Sequence, residues 1–160
     1  MSPRAAARLD SIGFTQVFDY AAGKADWTSS GLPTEGTAAG QPRAGDIAQR
    51  DIATCGLANR LGDARGKTRD ADQNVCIVVD DHGVVLGRLR GDALGEDPGA
   101  TVESVMEDGP TTIRADASLQ EITERMRKRR VGSILITDPE GRLLGILYRS
   151  EAERALAKQR

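Results

Sequence analysis

The chain has 160 residues, enough for one compact domain or two small ones that share an interface. Hydrophobic residues make up 39%, charged residues 29% and aromatics only 3%, so a core must come mainly from Val, Ile, Leu and Ala. A formal net charge of -2 argues against an overall basic nucleic-acid binder, and no apolar run reaches the length of a membrane span, so a cytoplasmic protein is expected.

Residues 5–36 read "AAARLDSIGFTQVFDYAAGKADWTSSGLPTEG" and hold both Phe residues, the single Trp and one of two Tyr. "RAAARLDSI" suits a short helix, "TQVFDY" a strand, and "KADWTSS" a helical turn ended by Gly31 and Pro33. Gly13-Phe14, Val17, Gly23, Trp27 and "GLPTEG" together resemble the C-terminal end of a rhodanese-like (sulfurtransferase) domain. That resemblance implies a persulfide-forming cysteine at the N-terminus of the helix that "SPRAAARL" would represent. Met1 and Ser2 stand there instead, and no cysteine precedes Cys55, so the segment (1–36) is expected to be a remnant without sulfurtransferase activity. Thirty-odd residues cannot make a core alone; the aromatics are expected to dock on the remainder of the chain or across a dimer interface. Residues 37–45 read as a linker.

From here the chain repeats. A shift of 58 positions aligns residues 44–94 with 102–152 without a gap. Eight pairs are identical: Thr54/Thr112, Leu61/Leu119, Arg69/Arg127, Asp80/Asp138, Gly83/Gly141, Leu86/Leu144, Gly87/Gly145 and Leu89/Leu147. Each copy reads strand, helix, strand, turn, strand, helix. In the second, Ser118 and Glu121 make a capping-box pattern, with Ala117 and Ile122 placed to form a staple. Leu119, Ile122 and Met126 share one helical face, so the run "RMRKRR" (125–130) reads as a solvated one. "SILIT" and "RLLGIL" are strands joined by "DPEG", and "RSEAERALAKQ" starts a helix. The first copy has a poorer helix because of Gly62 and Gly66. Packing two such copies face to face would bury an apolar sheet face that neither covers alone.

Cys55 and Cys76 have no metal-ligand spacing and are expected as buried thiols. His82, the only histidine, lies in the "DDHG" turn without a companion ligand.

The element order, the Asp-x-x-Gly turn and the Leu-Gly-x-Leu strand resemble a tandem pair of cystathionine-β-synthase (CBS) domains, with motifs over 46–97 and 101–157. The resemblance implies an α/β (α+β) module with pseudo-twofold symmetry and clefts between two sheets. It also implies a homodimer, a regulatory rather than catalytic role, and adenosine ligands such as AMP, ATP or S-adenosylmethionine. Nucleotide-binding members end the second hairpin strand in Thr or Ser, with an Asp three residues on; here Tyr148 and Glu151 occupy those positions. By the same resemblance the lining would be Thr112, Ile113, Val131, Gly132, Ile134, Tyr148 and Glu151, although core packing also accounts for most of them. The first copy departs further, with Arg90 and Ala93; Arg88 and Arg90 could contact phosphates or simply be solvated. Three functions stay open: a ligand-sensing regulator, a ligand-free scaffold for dimerisation or for a protein partner, and, as the remote alternative, a degenerate rhodanese-type sulfurtransferase acting through Cys55 or Cys76.

Overall fold

The computed structural model describes residues 3–18, 20–36, 39–70 and 74–158. Met1 and Ser2 of the expected first helix, Thr37 and Ala38 of the expected linker, and residues 71–73 of the first repeat lie outside them. The front segment contributes α1 (Pro3–Ser11) and α2 (Gly23–Ser29). The first half follows as α3 (Ala44–Ile47), β1 (Thr54–Cys55), α4 (Leu61–Asp70), β2 (Val75–Val79), β3 (Val85–Arg90) and a 3-10 turn (Gly91–Gly95). The second half is α5 (Val102–Val105), β4 (Glu107–Asp108), β5 (Thr112–Arg114), α6 (Leu119–Lys128), β6 (Ser133–Thr137), β7 (Leu143–Tyr148) and α7 (Arg149–Ala157).

The repeat is obeyed to the residue. Helices α4 and α6, and the strand pairs β2/β6 and β3/β7, have bounds that differ by the same 58 positions. Even the register shift in each hairpin recurs, between Val78 and Val79 and between Ile136 and Thr137. Each turn is built by its Asp. Asp80 Oδ1 accepts the backbone N–H groups of His82 at 2.9 Å and Val84 at 2.8 Å. Asp138 Oδ1 does the same for Glu140 at 3.0 Å and Arg142 at 2.8 Å. Gly83 and Gly141 close these turns at φ 82° and 85°, where a Cβ is strained. Gly62 and Gly66 do not prevent a helix: α4 has 10 residues, as many as α6. Burial of Leu61 and Ala64 against the sheet outweighs the two glycines.

The four-stranded sheet runs β1-β2-β3-β4 and the three-stranded one β5-β6-β7; in each, the first pair is parallel and the hairpin antiparallel. The short helices cross over. The Ala44 N–H of α3 donates to Ala117 O at 2.9 Å in the second half, and the Val102 N–H of α5 donates to Asn59 O at 3.0 Å in the first. Ala44 accordingly belongs to the core of Leu119, Ile122, Met126, Ile136, Leu147 and Ala152, while Val102 belongs to that of Leu61, Ala64, Cys76, Val78 and Leu89. A third cluster (Ile77, Leu135 and Ile146) joins the sheets face to face. Each fully buried Leu or Ile contributes about 1.5–3 kcal/mol, and the crossed helices make the two halves depend on each other.

The crossing explains the repeated Leu-Gly. A Cβ at Gly145 would lie 2.5 Å from Gln49 O, and one at Gly87 would lie 2.7 Å from Met106 Sδ and 2.9 Å from Glu107 O. The chain passes directly over both glycines on its way out of α3 and α5.

The front segment departs from expectation. Residues 15–18 and 20 form no strand, Asp19 lying outside the described residues, so the helix–strand–helix order behind the rhodanese-like resemblance loses its middle element. A lone strand has no ladder to satisfy its backbone groups. Two of the four aromatics pack on each other: Tyr20 and Trp27 meet edge to face at 5.2 Å, the Tyr20 hydroxyl donates to Asp26, and Trp27 Nε1 donates to Pro33 O at 2.8 Å. The Asp26 carboxylate raises the Tyr20 phenol above its ordinary value by holding its proton. Phe14 and Phe18 are 57% and 81% exposed rather than docked on the repeat.

Candidate functional site

A cleft of about 960 Å³ opens between the two halves. Strand alternation supplies its walls. Val75 and Ile77 of β2, Arg88 and Arg90 of β3, and Ile146 and Tyr148 of β7 line it, while Cys76, Leu89 and Leu147 between them point into the cores. Helix α6 adds Arg125 and Met126, and its C-cap residue Arg129 follows one turn after Arg125 on the same side. The chain leaving α3 adds Gln49, Arg50 and Asp51.

Five arginines and one aspartate therefore face the same space. Two of the five are already engaged: Arg88 Nε lies 2.8 Å from Glu107 Oε2 and Arg90 Nε 3.0 Å from Glu107 Oε1. These two guanidinium groups hold the Glu107 carboxyl below its ordinary range, Arg88 contributing most. Among the described residues, the side chains of Arg50, Arg125 and Arg129 make no ion pair. Such a cleft has the chemistry of an anion site with apolar walls: guanidinium forks for phosphate or carboxylate oxygens, and Ile134, Ile146 and Tyr148 for a flat or apolar group.

The residues expected from the sequence divide. Val131, Ile134 and Tyr148 line the cleft. Thr112 is exposed on β5 beside the lining residue Thr111, and Ile113 packs against the second core. Gly132 uses its carbonyl to accept the Arg149 N–H at 2.9 Å at the start of α7. Glu151 does not line the cleft. It sits in the first turn of α7 and its Oε1 accepts from Gln49 Nε2 at 3.2 Å, while Oε2 is buried without a partner among the described residues. In the first half, Arg90 reaches the same cleft, whereas Ala93 packs into the core.

The basic run is only partly the solvated face expected of it. Arg127 pairs with Glu153 at 3.1 Å, but Arg125 and Arg129 line the cleft. The i, i+4 spacing of those two arginines was visible in the sequence; what the helix faces was not.

The cysteines lie in the first core, on strands β1 and β2, 3% and 0% exposed. Among the described residues no cluster of three or more His, Cys, Asp or Glu could hold a metal, and no helix is long and apolar enough to cross a membrane.

The CBS domain family model matches residues 102–158. Among solved structures, the cytosolic domain of the Mg2+ channel MgtE in complex with ATP matches with a TM-score of 0.65 and 22% identity, over 71% of this chain and 48% of that one. CBSX2 in complex with AMP, a CBS-pair protein from Arabidopsis thaliana, gives 0.64 and 20% over 74% of this chain and 99% of that one. The CBS domain pair of protein MJ0100, in complex with 5'-methylthioadenosine and S-adenosyl-L-methionine, gives 0.62 and 18% over 75% and 99%. No curated protein matches the sequence. The chain spans about half the length of the MgtE domain. The family match thus covers the second half, and the two halves together have the mixed α+β fold of the CBS-pair structures.

Proposed function

We propose that the chain is a non-catalytic regulatory CBS pair that takes an adenosine nucleotide in the cleft between its halves. The observation that carries this reading is the cleft's charge: five arginines from both halves converge on one space with apolar walls. Phosphates suit it better than the sulfonium of S-adenosylmethionine, so AMP, ADP and ATP are preferred in order of increasing charge. Tyr148, in place of the small hydroxyl residue, offers a ring for the adenine to stack on. Gln49, which lines the cleft and donates to Glu151 Oε1 at 3.2 Å, offers its amide to the ribose hydroxyls. The structures bound to ATP and AMP support the class of ligand by likeness of fold. Titration calorimetry with AMP, ADP, ATP and S-adenosylmethionine tests it: heat and thermal stabilisation with the phosphorylated ligands are expected, and silence from all four at millimolar concentration overturns it.

A second reading, a scaffold that dimerises or binds a protein, draws on Phe14 and Phe18, two large apolar side chains exposed on the front segment. Sedimentation of the wild type and of the Phe14→Ser, Phe18→Ser double variant separates the two. A dimer lost in the variant favours the scaffold, and a monomer in both removes that support.

A further inference from the structure

We propose that Cys55 and Cys76 are a reversible oxidation site, two thiols that a small peroxide converts into an intrachain disulfide. Cys76 Sγ lies 3.1 Å from Cys55 Sγ and donates its proton to it. The register explains the meeting. Thr54 pairs with Ile77 and Cys55 with Val78 across the parallel β1–β2 ladder, so Cys55, Cys76 and Val78 all point into the first core. A disulfide needs the sulfurs about 2.05 Å apart, a closure of roughly 1 Å that side-chain rotation and a small strand shift can supply.

The two thiols are not equivalent. The hydrogen bond from Cys76, helped by the charge of Lys67, holds the Cys55 thiol below its ordinary value and leaves Cys76 raised. Lys67 is fixed there by donating to Thr54 O at 3.0 Å. Cys55 is the attacking sulfur. Its thiolate cleaves the peroxide O–O bond to give a sulfenic acid and release one water, and the sulfur of Cys76 then displaces the second water. Two thiols and one hydrogen peroxide become one disulfide and two waters, with two electrons passing from sulfur to oxygen. Both sulfurs are buried, so access needs local opening. Strand β1 is suited to that, being two residues long at the edge of its sheet.

Peroxide treatment of the whole chain, followed by alkylation under denaturing conditions and mass spectrometry, tests the proposal. The expected product has lost two hydrogens, takes up no alkylating reagent, yields a Cys55–Cys76 linked peptide, and returns to two free thiols with dithiothreitol. Cys55→Ser and Cys76→Ser should each abolish the cross-link, and the peptide map of the wild type decides the matter even if a variant folds poorly. Two alkylated cysteines after treatment, oxygen added to either sulfur without a cross-link, or a link between chains overturns it.

Discussion

Arg88 Nε and Glu107 Oε2 lie 2.8 Å apart across the β3–β4 ladder, with Arg90 completing a clamp on the same carboxylate. Both arginines line the proposed nucleotide cleft, so Glu107 competes from inside the protein for groups that a phosphate would use. Glu107→Gln should therefore tighten ATP binding a few-fold in calorimetry. Weaker binding would mean that Glu107 positions these arginines rather than occupying them.

The turns make a prediction about acid. Asp80 is held below its ordinary carboxyl range, chiefly by accepting the Val84 N–H and then that of His82. A depressed folded-state pKa gives stability that is present above the unfolded value, about 3.9, and lost as pH falls through the folded one. Asp80→Asn keeps the turn's acceptor but not the titration. Urea midpoints at pH 7 and pH 3 should fall less in this variant than in the wild type; equal falls would contradict the assignment.

Two glycines should respond to alanine with opposite signs. At Gly145 the new Cβ meets the Gln49 carbonyl, and the chain leaving α3 must move, at a cost of about 1–3 kcal/mol. At Gly66 a Cβ meets nothing within 4 Å, and α4 should gain about 1 kcal/mol. Denaturant unfolding of both variants checks the pair; a neutral Gly145→Ala would refute the close crossing.

Much of this was legible because a repeat carries its reasons twice. Asp80/Asp138 and Gly83/Gly141 build the turns, Leu61/Leu119 and Leu89/Leu147 are fully buried in the two cores, and Gly87/Gly145 admit the crossing chain. The crossing itself was hidden: α3 and α5 have four residues each, and nothing in "AGDI" or "VESV" says which half they cover. Ser118 was recognisable as a helix cap, and its Oγ does accept the Glu121 N–H at 3.4 Å, but its bridge to Arg43 was not. The same limit applies to the site. Arg125 and Arg129 have a spacing that a solvated face and a cleft wall share, and only the neighbouring sheet decides between them. "TQVFDY" failed for the converse reason: its alternation suits a strand, but among the described residues no strand pairs with it.

The most direct test of the cleft is a calorimetric titration of ATP into the wild type and into an Arg125→Gln, Arg129→Gln double variant at matched ionic strength. Loss of two charge-assisted contacts, about 1.5–3 kcal/mol each at full strength, should weaken binding by about tenfold or more while the fold, read by circular dichroism, is kept. Equal affinity in the two proteins, or no binding by the wild type at millimolar ATP, would contradict the account.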